Sequence, residues 1–327
     1  MRAAEFFAGM GLMRAGLESV GVSTVFANDI DPHKAALYRS NWGSDELVVD
    51  DIRNLTGDMI PDIEIATASF PCTDLSLAGN YAGLAGEQSG LISEFVRILG
   101  EMQWRRPDAV IVENVPGLLT ANDGRDFRRV RRMLEGLDYD VADIMINASA
   151  FLPQSRARVF LLCTLGHQPG LPELPTGVKG RLADVATEGG WWPPERTEAF
   201  LSTLSPLQRR RIDAHRTSPD TRHLGAFRRT RRGSTVWEVR DDEIAGTLRT
   251  LRGGSGRQAI VKVGNGDFAV RWMNVTEYAR LQGAEAFRFD AVSERQAMFA
   301  LGDAVCVPVV EWIAQHWLTR VEFRVPA

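Results

Sequence analysis

Four residues of this chain stand where packing alone accounts for them poorly: a cysteine, a glutamate and two arginines. Cys72 lies in Ser69-Phe70-Pro71-Cys72-Thr73-Asp74-Leu75-Ser76, after Ile63-Glu64-Ile65-Ala66-Thr67-Ala68, a short run of apolar and β-forming residues bounded by prolines that reads as a buried strand. An isolated cysteine is most often a small core residue. One just past such a strand, beside a proline that fixes the backbone, lies where open α/β sheets bind ligands. Glu113 leaves a second apolar strand, Asp108-Ala109-Val110-Ile111-Val112, into Asn114-Val115-Pro116-Gly117. Burying a lone carboxylate costs several kcal/mol unless it is paired or protonated, so this glutamate is a site candidate. In Pro153-Gln154-Ser155-Arg156-Ala157-Arg158-Val159-Phe160, alternation places Arg156 and Arg158 on one face as a strand begins, two guanidinium groups aimed the same way. Structural salt bridges are the alternative use for them.

The elements that must position these groups follow from the pattern around them. Residues 3–7, then Ala8-Gly9-Met10-Gly11-Leu12, then residues 13–18 read as strand, glycine turn and helix. The glycines permit a tight turn and a close ligand approach, and the helix start offers amides. Residues 22–29 read as a second strand ending in Asp29, about the distance on at which a carboxylate accepts a ribose hydroxyl. Asp31-Pro32 opens a helix, and Leu47-Val48-Val49 leads to Asp50-Asp51-Ile52, another strand end offering carboxylates. Together these imply a nucleoside-containing cofactor. A nicotinamide dinucleotide fits this much too, although Arg14 stands where its fingerprint has a third glycine. Residues 77–90, with Gly79, Gly83, Gly86 and Gly90, read as a loop that closes over substrate beside Cys72, an inert surface loop being the alternative. Helices are predicted over 91–104, 127–137, 276–282, 295–301 and 307–318, and a strand over 140–146. Pro169, Pro172 and Pro175 with neighbouring glycines mark a domain boundary.

Composition sets the class. At 327 residues, 44% hydrophobic and 24% charged, the chain reads as a soluble globular protein of one large domain or two smaller ones. An acid at Glu5 interrupts what a signal peptide would need as its apolar stretch, and no uninterrupted apolar run approaches membrane-spanning length, so the reading is cytoplasmic with no membrane partner. Cys72, Cys163 and Cys306 are widely spaced, without a CxxC or Cys/His pairing, so neither disulfides nor a metal are expected. The net charge of −4 conceals an asymmetry: residues 201–262 hold fourteen Arg and Lys against six Asp and Glu. Such a charge is expected where one lobe faces a polyanion, a solvated basic face being the alternative.

In order and along nearly the whole chain, these pieces resemble the DNA (cytosine-5)-methyltransferases that use S-adenosylmethionine, of the bacterial type II modification methylase kind. Phe7-Ala8-Gly9-Met10-Gly11 is similar to their cofactor turn, Asp29 to the ribose-binding acid and Asp51-Ile52 to the pair near the adenine. Phe70-Pro71-Cys72 resembles the nucleophile motif, Glu113-Asn114-Val115 their Glu-Asn-Val, and Gln154-x-Arg156-x-Arg158 their Gln-x-Arg-x-Arg. Thr276-Glu277-Tyr278-Ala279-Arg280-Leu281-Gln282-Gly283 is similar to the helix that braces the DNA-reading domain, and Gly302-Asp303-Ala304-Val305 to the last cofactor motif. Thr73, where the family often has Gln, and Asp303, where it often has Asn, depart from the pattern without removing a group that the chemistry requires.

The resemblance implies an α/β Rossmann-like methyltransferase fold, with a catalytic domain of residues 1–168 plus 266–327 and an inserted target-recognition domain of residues 169–265. It implies that Cys72 adds to carbon 6 of a flipped-out cytosine while Glu113 holds ring nitrogen 3 and the exocyclic amine. Arg156 and Arg158 would orient the base's carbonyl oxygen and favour the thiolate. The cofactor, leaving as S-adenosylhomocysteine, would lie on Phe7, Ala8, Gly9, Gly11, Leu12, Asp29, Ile30, Asp51, Ile52, Pro71, Asp303 and Val305. Double-stranded DNA would meet Ser76, Arg249, Thr250, Arg252, Gly253, Gly254 and Arg257, whose arginines suit guanine edges or phosphates. A monomer is expected, with a cognate restriction endonuclease acting independently as a further partner. The rivals are methylation of RNA by the same chemistry, a DNA-binding module without turnover and a nicotinamide oxidoreductase; the large basic insert, the intact Cys72, Glu113 and Arg156, and Arg14 with everything after residue 70 respectively speak against them.

Overall fold

The computed structural model describes residues 1–71, 89–231, 234–251 and 256–324. The chain divides into two compact units. One comprises Met1–Ile146, Ala157–Leu174 and Val305–Ala327, the other Asn147–Arg156 and Pro175–Ala304. Packing therefore draws the boundary elsewhere than composition does, and residues 266–304, expected with the catalytic domain, fall in the second unit.

The first unit is built on β1 (Arg2–Phe6), α1 (Leu12–Glu18), β2 (Ser23–Asn28), α2 (Pro32–Trp42), β3 (Leu47–Val48), β4 (Ile65–Ala68), α3 (Ile92–Glu101), β5 (Ala109–Asn114), α4 (Gly117–Thr120), α5 (Arg125–Glu135), β6 (Tyr139–Asn147) and β7 (Ala157–Leu165). Its seven strands lie in the order β3-β2-β1-β4-β5-β7-β6. β4 and β5 are buried along their whole length, which is why they are nearly continuous apolar runs. β6, at the sheet's edge, alternates buried and exposed residues instead. α2 begins where Asp31 accepts the amides of His33 and Lys34, with Pro32 in its first turn. From β1 to β5 the pairings are parallel, and β7 runs antiparallel to β5. The chain builds β2 and β3 on one side of β1, then returns to place β4 on the other. That reversal opens a crevice at the carboxyl ends of β1 and β4, where doubly wound sheets bind ligands.

The second unit contains α6 (Leu182–Val185), α7 (Pro194–Ser202), α8 (Pro206–Arg216), β8 (Arg222–Arg231), β9 (Ser234–Val239), β10 (Gln258–Gly264), β11 (Asp267–Trp272), α9 (Val275–Gln282) and α10 (Glu294–Asp303). Its antiparallel sheet, in the order β11-β10-β8-β9, packs on a core of its own around Phe200, Ile212, Trp237, Val261 and Val270. A buried ion pair, Arg271 to Glu277 at 2.5 Å, joins β11 to α9 and explains why α9 belongs here. α9 is capped by Asn274, whose side chain accepts the Glu277 amide.

The last helix, α11 (Val307–His316), returns to the first unit and crosses α1 where Gly16 leaves room for Val310. Residues 294–320 are as apolar as a membrane span, with a mean hydropathy of 1.6 in the richest window, yet they form two helices and 67% of that window is buried, as in core helices.

Candidate active site

The crevice is shaped by backbone before side chains. β1 ends at Phe6, and the chain then turns through Phe7 (φ 56°), Gly9 (φ 61°) and Gly11 (φ 84°) into α1. A left-handed phenylalanine carries strain of the kind that concentrates at functional sites. A Cβ on Gly11 would lie 2.3 Å from Trp42 Nε1, so no other residue passes there, whereas one on Gly9 would meet nothing within 4 Å. Open space thus lies over the turn.

Asp29 follows β2 and is buried, one carboxylate oxygen accepting the Gly9 amide at 2.7 Å and the other the Asp31 amide at 2.8 Å. Burial raises its carboxyl above the usual range, against the pull of Lys34 and these two amides. Ile30 beside it is 63% exposed, an apolar surface next to an acid. The Asn28 amide donates to the Val48 and Asp50 carbonyls and so fixes the end of β3. Asp51 pairs with Arg53, whose guanidinium holds that carboxyl low. The side chains of Ala8, Leu12, Ile52 and Val305 are buried in the core. Arg14 is engaged by Glu18, by Tyr38 and by the ring of Trp42. Asp303 is exposed in the last turn of α10, a helix that runs past the predicted end at residue 301.

These features fit a nucleoside cofactor: hydroxyls of a ribose suit Asp29, a purine suits Ile30, and the space over Gly9 admits the chain between them.

One residue of this region was missed. Glu5, inside β1, is buried, and its carboxyl accepts the amides of Met13 and Arg14 at the start of α1. Burial pushes it up to about 8, against the opposing pull of Arg14, and its Oε2 has no hydrogen-bond partner among the described residues. The signal was available in the sequence as an acid inside an apolar strand.

Neighbouring strands carry the catalytic candidates. Glu113 and Asn114 do not follow β5 but form its last two residues, and both are buried. Glu113 Oε1 lies 2.9 Å from Arg158 Nε, an ion pair almost closed to solvent. Asn114 Nδ2 donates to the Phe70 carbonyl at 3.0 Å, and its Oδ1 accepts the Val115 amide. The segment that leads to the nucleophile motif is thereby fastened to the strand that carries Glu113. Pro71 is half-buried at its end. Cys72, Ser76, Arg252, Gly253, Gly254, Thr73 and nearly all of the glycine-rich loop lie outside the described residues.

Arg156 departs from the sequence reading. β7 begins at Ala157, so strand alternation does not govern the pair. The buried Arg156 guanidinium donates to the carbonyls of Leu248 at 2.8 Å, Ala304 at 2.6 Å and Gly302 at 3.4 Å, all within the second unit. Gln154, fully buried, donates to the Leu281 carbonyl and accepts the Leu248 amide at 3.1 Å. The Gln-x-Arg portion thus braces the segment that enters the predicted DNA-reading residues, and of the two arginines it is Arg158 that meets Glu113. Arg249 is exposed and Thr250 half-buried, their backbone pressed against Gly302. Arg257 is tied to Glu294 and the Met273 carbonyl, and it lies over the ring of Trp272. It lines a cavity of about 350 Å³ with Arg228 and Arg295.

A glycine turn and a buried acid at the switch point of a doubly wound sheet, with a buried Glu–Arg pair on a strand of the same sheet, fit a methyltransferase of the Rossmann-like class. The family model for C-5 cytosine-specific DNA methylase matches residues 1–318, and the chain belongs to that family. It is 28% identical to the type II methyltransferase M.HhaI of Haemophilus parahaemolyticus, with 99% of this chain and 96% of that protein covered. It is 30% identical to M.DsaV of Dactylococcopsis salina, with 97% and 86% covered. Among solved structures, the Entamoeba histolytica methyltransferase EhMeth superimposes with a TM-score of 0.70 at 14% identity, covering 98% of this chain and 99% of that one. The protein is therefore a DNA (cytosine-5)-methyltransferase that uses S-adenosylmethionine and acts on double-stranded DNA.

Proposed function

We propose that the enzyme methylates carbon 5 of a cytosine turned out of a short specific duplex sequence, through a transient bond from Cys72 Sγ to carbon 6 of the base. The observation that carries this is the Glu113–Arg158 pair at the end of β5, held by Asn114 against the segment two residues before Cys72. Within the stack the target atom is out of reach, and extruding the base costs a few kcal/mol that binding offsets. The Cys72 thiolate adds to carbon 6 while Glu113, which must enter this step protonated, gives its proton to ring nitrogen 3, and this leaves an enamine nucleophilic at carbon 5. Arg158 fixes the Glu113 carboxyl and reaches toward the base's carbonyl oxygen. Bound on the turn at Gly9 and Gly11 with Asp29, S-adenosylmethionine supplies a methyl group activated by its sulfonium. Loss of the carbon 5 proton to a base then expels the sulfur, nitrogen 3 returns its proton to Glu113, and the aromatic ring is restored.

The proposed target-recognition domain is the basic insert of residues 169–265. We read the enzyme as a cytoplasmic monomer, the modification half of a restriction-modification system whose endonuclease acts independently. The test is transfer of labelled methyl from S-adenosylmethionine to duplex DNA or to total RNA, by the wild type and by Cys72→Ser. Label should enter DNA and be lost in the variant. Label in RNA alone would overturn the substrate, and equal labelling by the variant would overturn the mechanism. DNA containing 5-fluorocytosine should trap the wild-type enzyme at its own sequence and so identify it.

A further inference from the structure

The arginines of the recognition insert drew attention in the sequence, but a second set lies in the first unit, on α5. Arg125, Arg128, Arg129 and Arg132 are all exposed, and their spacing of i, i+3, i+4 and i+7 puts them on one helical face. The opposite face, through Asp126, Val130 and Leu134, is buried. Other arginines of this unit, such as Arg14, Arg53, Arg97 and Arg324, each sit against a carboxylate. Three of the four in the stripe do not. Arg128 and Arg132 donate to backbone carbonyls, of Asp123 and Arg128, and Arg129 has no acidic partner within 4 Å among the described residues. Only Arg125 meets an acid, the highly exposed Asp123 at 3.5 Å, while Arg131, off the stripe, is paired with Glu135.

Such a stripe costs the helix stability, because Arg125 with Arg129 and Arg128 with Arg132 are like charges at i and i+4. A face needed only for solvation is served as well by mixed signs. Its dimensions suit one kind of partner. From Arg125 to Arg132 the helix rises about 10 Å, the axial rise of about three phosphates of one strand of a duplex. Its place in the chain suits the same partner: only α4 and a short turn separate the start of α5 from the end of β5, the strand that carries Glu113.

We propose that the arginine face of α5 is a second, sequence-independent seat for duplex DNA, which grips phosphates outside the recognised sequence. The inference rests on the reading of the enzyme as acting on DNA. Charge alone makes such a contact, so its signature is the dependence of binding on salt, in which each neutralised phosphate contributes about 0.9 to the slope of log K against log salt. The probe is an alternating adenine–thymine duplex, which holds no cytosine and so engages neither the nucleophile nor the recognised sequence.

Replacing Arg128, Arg129 and Arg132 together by Gln should lower that slope by about 2 to 3, and Arg129→Gln alone by about 1. The corresponding triple Lys variant should keep the wild-type slope. Methyl transfer to genomic DNA at saturating DNA should be the same in all of them. A Gln variant with the wild-type slope overturns the proposal, as does a Lys variant that loses slope as the Gln variant does, since the effect would then not be one of charge. The single variant decides the matter if the triple one does not fold. Failure of the wild type to label any DNA would instead sink the reading of function, so the two failures are told apart.

Discussion

At the scale of single residues, the least expected group is Glu5, and its surroundings make a prediction with a definite sign. Arg14, Asp29 and Tyr38 are the charged and titratable groups that face it, and burial outweighs Arg14 in setting its proton affinity. Below its ordinary value of 4.5 the folded and unfolded chains both hold the proton. Between 4.5 and about 8 the unfolded chain has released it while the folded protein keeps it, so stability falls as pH rises, by up to about 1.4 kcal/mol per pH unit. Above that range both forms are ionised and the dependence ends. Glu5→Gln should remove this slope, so that urea midpoints for variant and wild type converge at low pH and separate in the variant's favour toward pH 8. Parallel curves would show that folding leaves the proton affinity of Glu5 unchanged. The same chemistry separates the residues that were legible in the sequence from those that were not. Glu113 stood out because a carboxylate at the end of a fully buried strand needs a partner, and it has one in Arg158. Arg156 misled because its partners are carbonyls of Leu248 and Ala304, far along the chain, and no spacing rule sees a backbone acceptor at such a separation.

At the scale of elements, starts were easier to read than ends. Asp31 with Pro32, and Asn274 with Glu277, announce α2 and α9 because capping is local chemistry between neighbours in sequence. The end of α10 was set too early because Gly302 reads as a helix stop. In the structure it is helical, and glycine serves a close approach there instead: a Cβ on Gly302 would lie 2.3 Å from the Arg249 carbonyl oxygen. A backbone carbonyl cannot rotate aside as a side chain does. Gly302→Ala should therefore displace the segment at Arg249 and Thr250 and cost about 1 to 3 kcal/mol, measured by urea unfolding. An unchanged midpoint would mean that the segment gives way freely. The boundary of the second unit was hidden for a related reason. Prolines and arginines mark where the insert begins, but the buried Arg271–Glu277 pair that draws α9 to β11 is a matter of packing.

At the scale of the whole molecule, each unit has its own apolar core, one around Phe6, Phe95 and Leu161, the other around Phe200, Trp237 and Val261. Two separate cores need not melt together, so a single unfolding transition is not to be assumed. The residues assigned to the nucleoside end of the cofactor, from Phe7 through Asp29 to Ile52, all belong to the first unit. A ligand that binds only the folded form raises stability by about 2.7 kcal/mol at a hundredfold excess over its dissociation constant. S-adenosylhomocysteine at that excess should therefore raise the melting temperature of the first unit's transition in a scanning calorimeter. Asp29 joins the turn at Gly9 to the start of α2 through its two amide contacts, and it is the acid proposed to hold the ribose. Asp29→Ala should abolish the shift caused by the ligand, while the second unit, whose core it does not touch, melts where it did before. A full shift retained in Asp29→Ala would remove the ribose from this carboxylate and move the nucleoside to another part of the sheet's edge, whereas a loss confined to the first transition would tie the cofactor to the turn between β1 and α1.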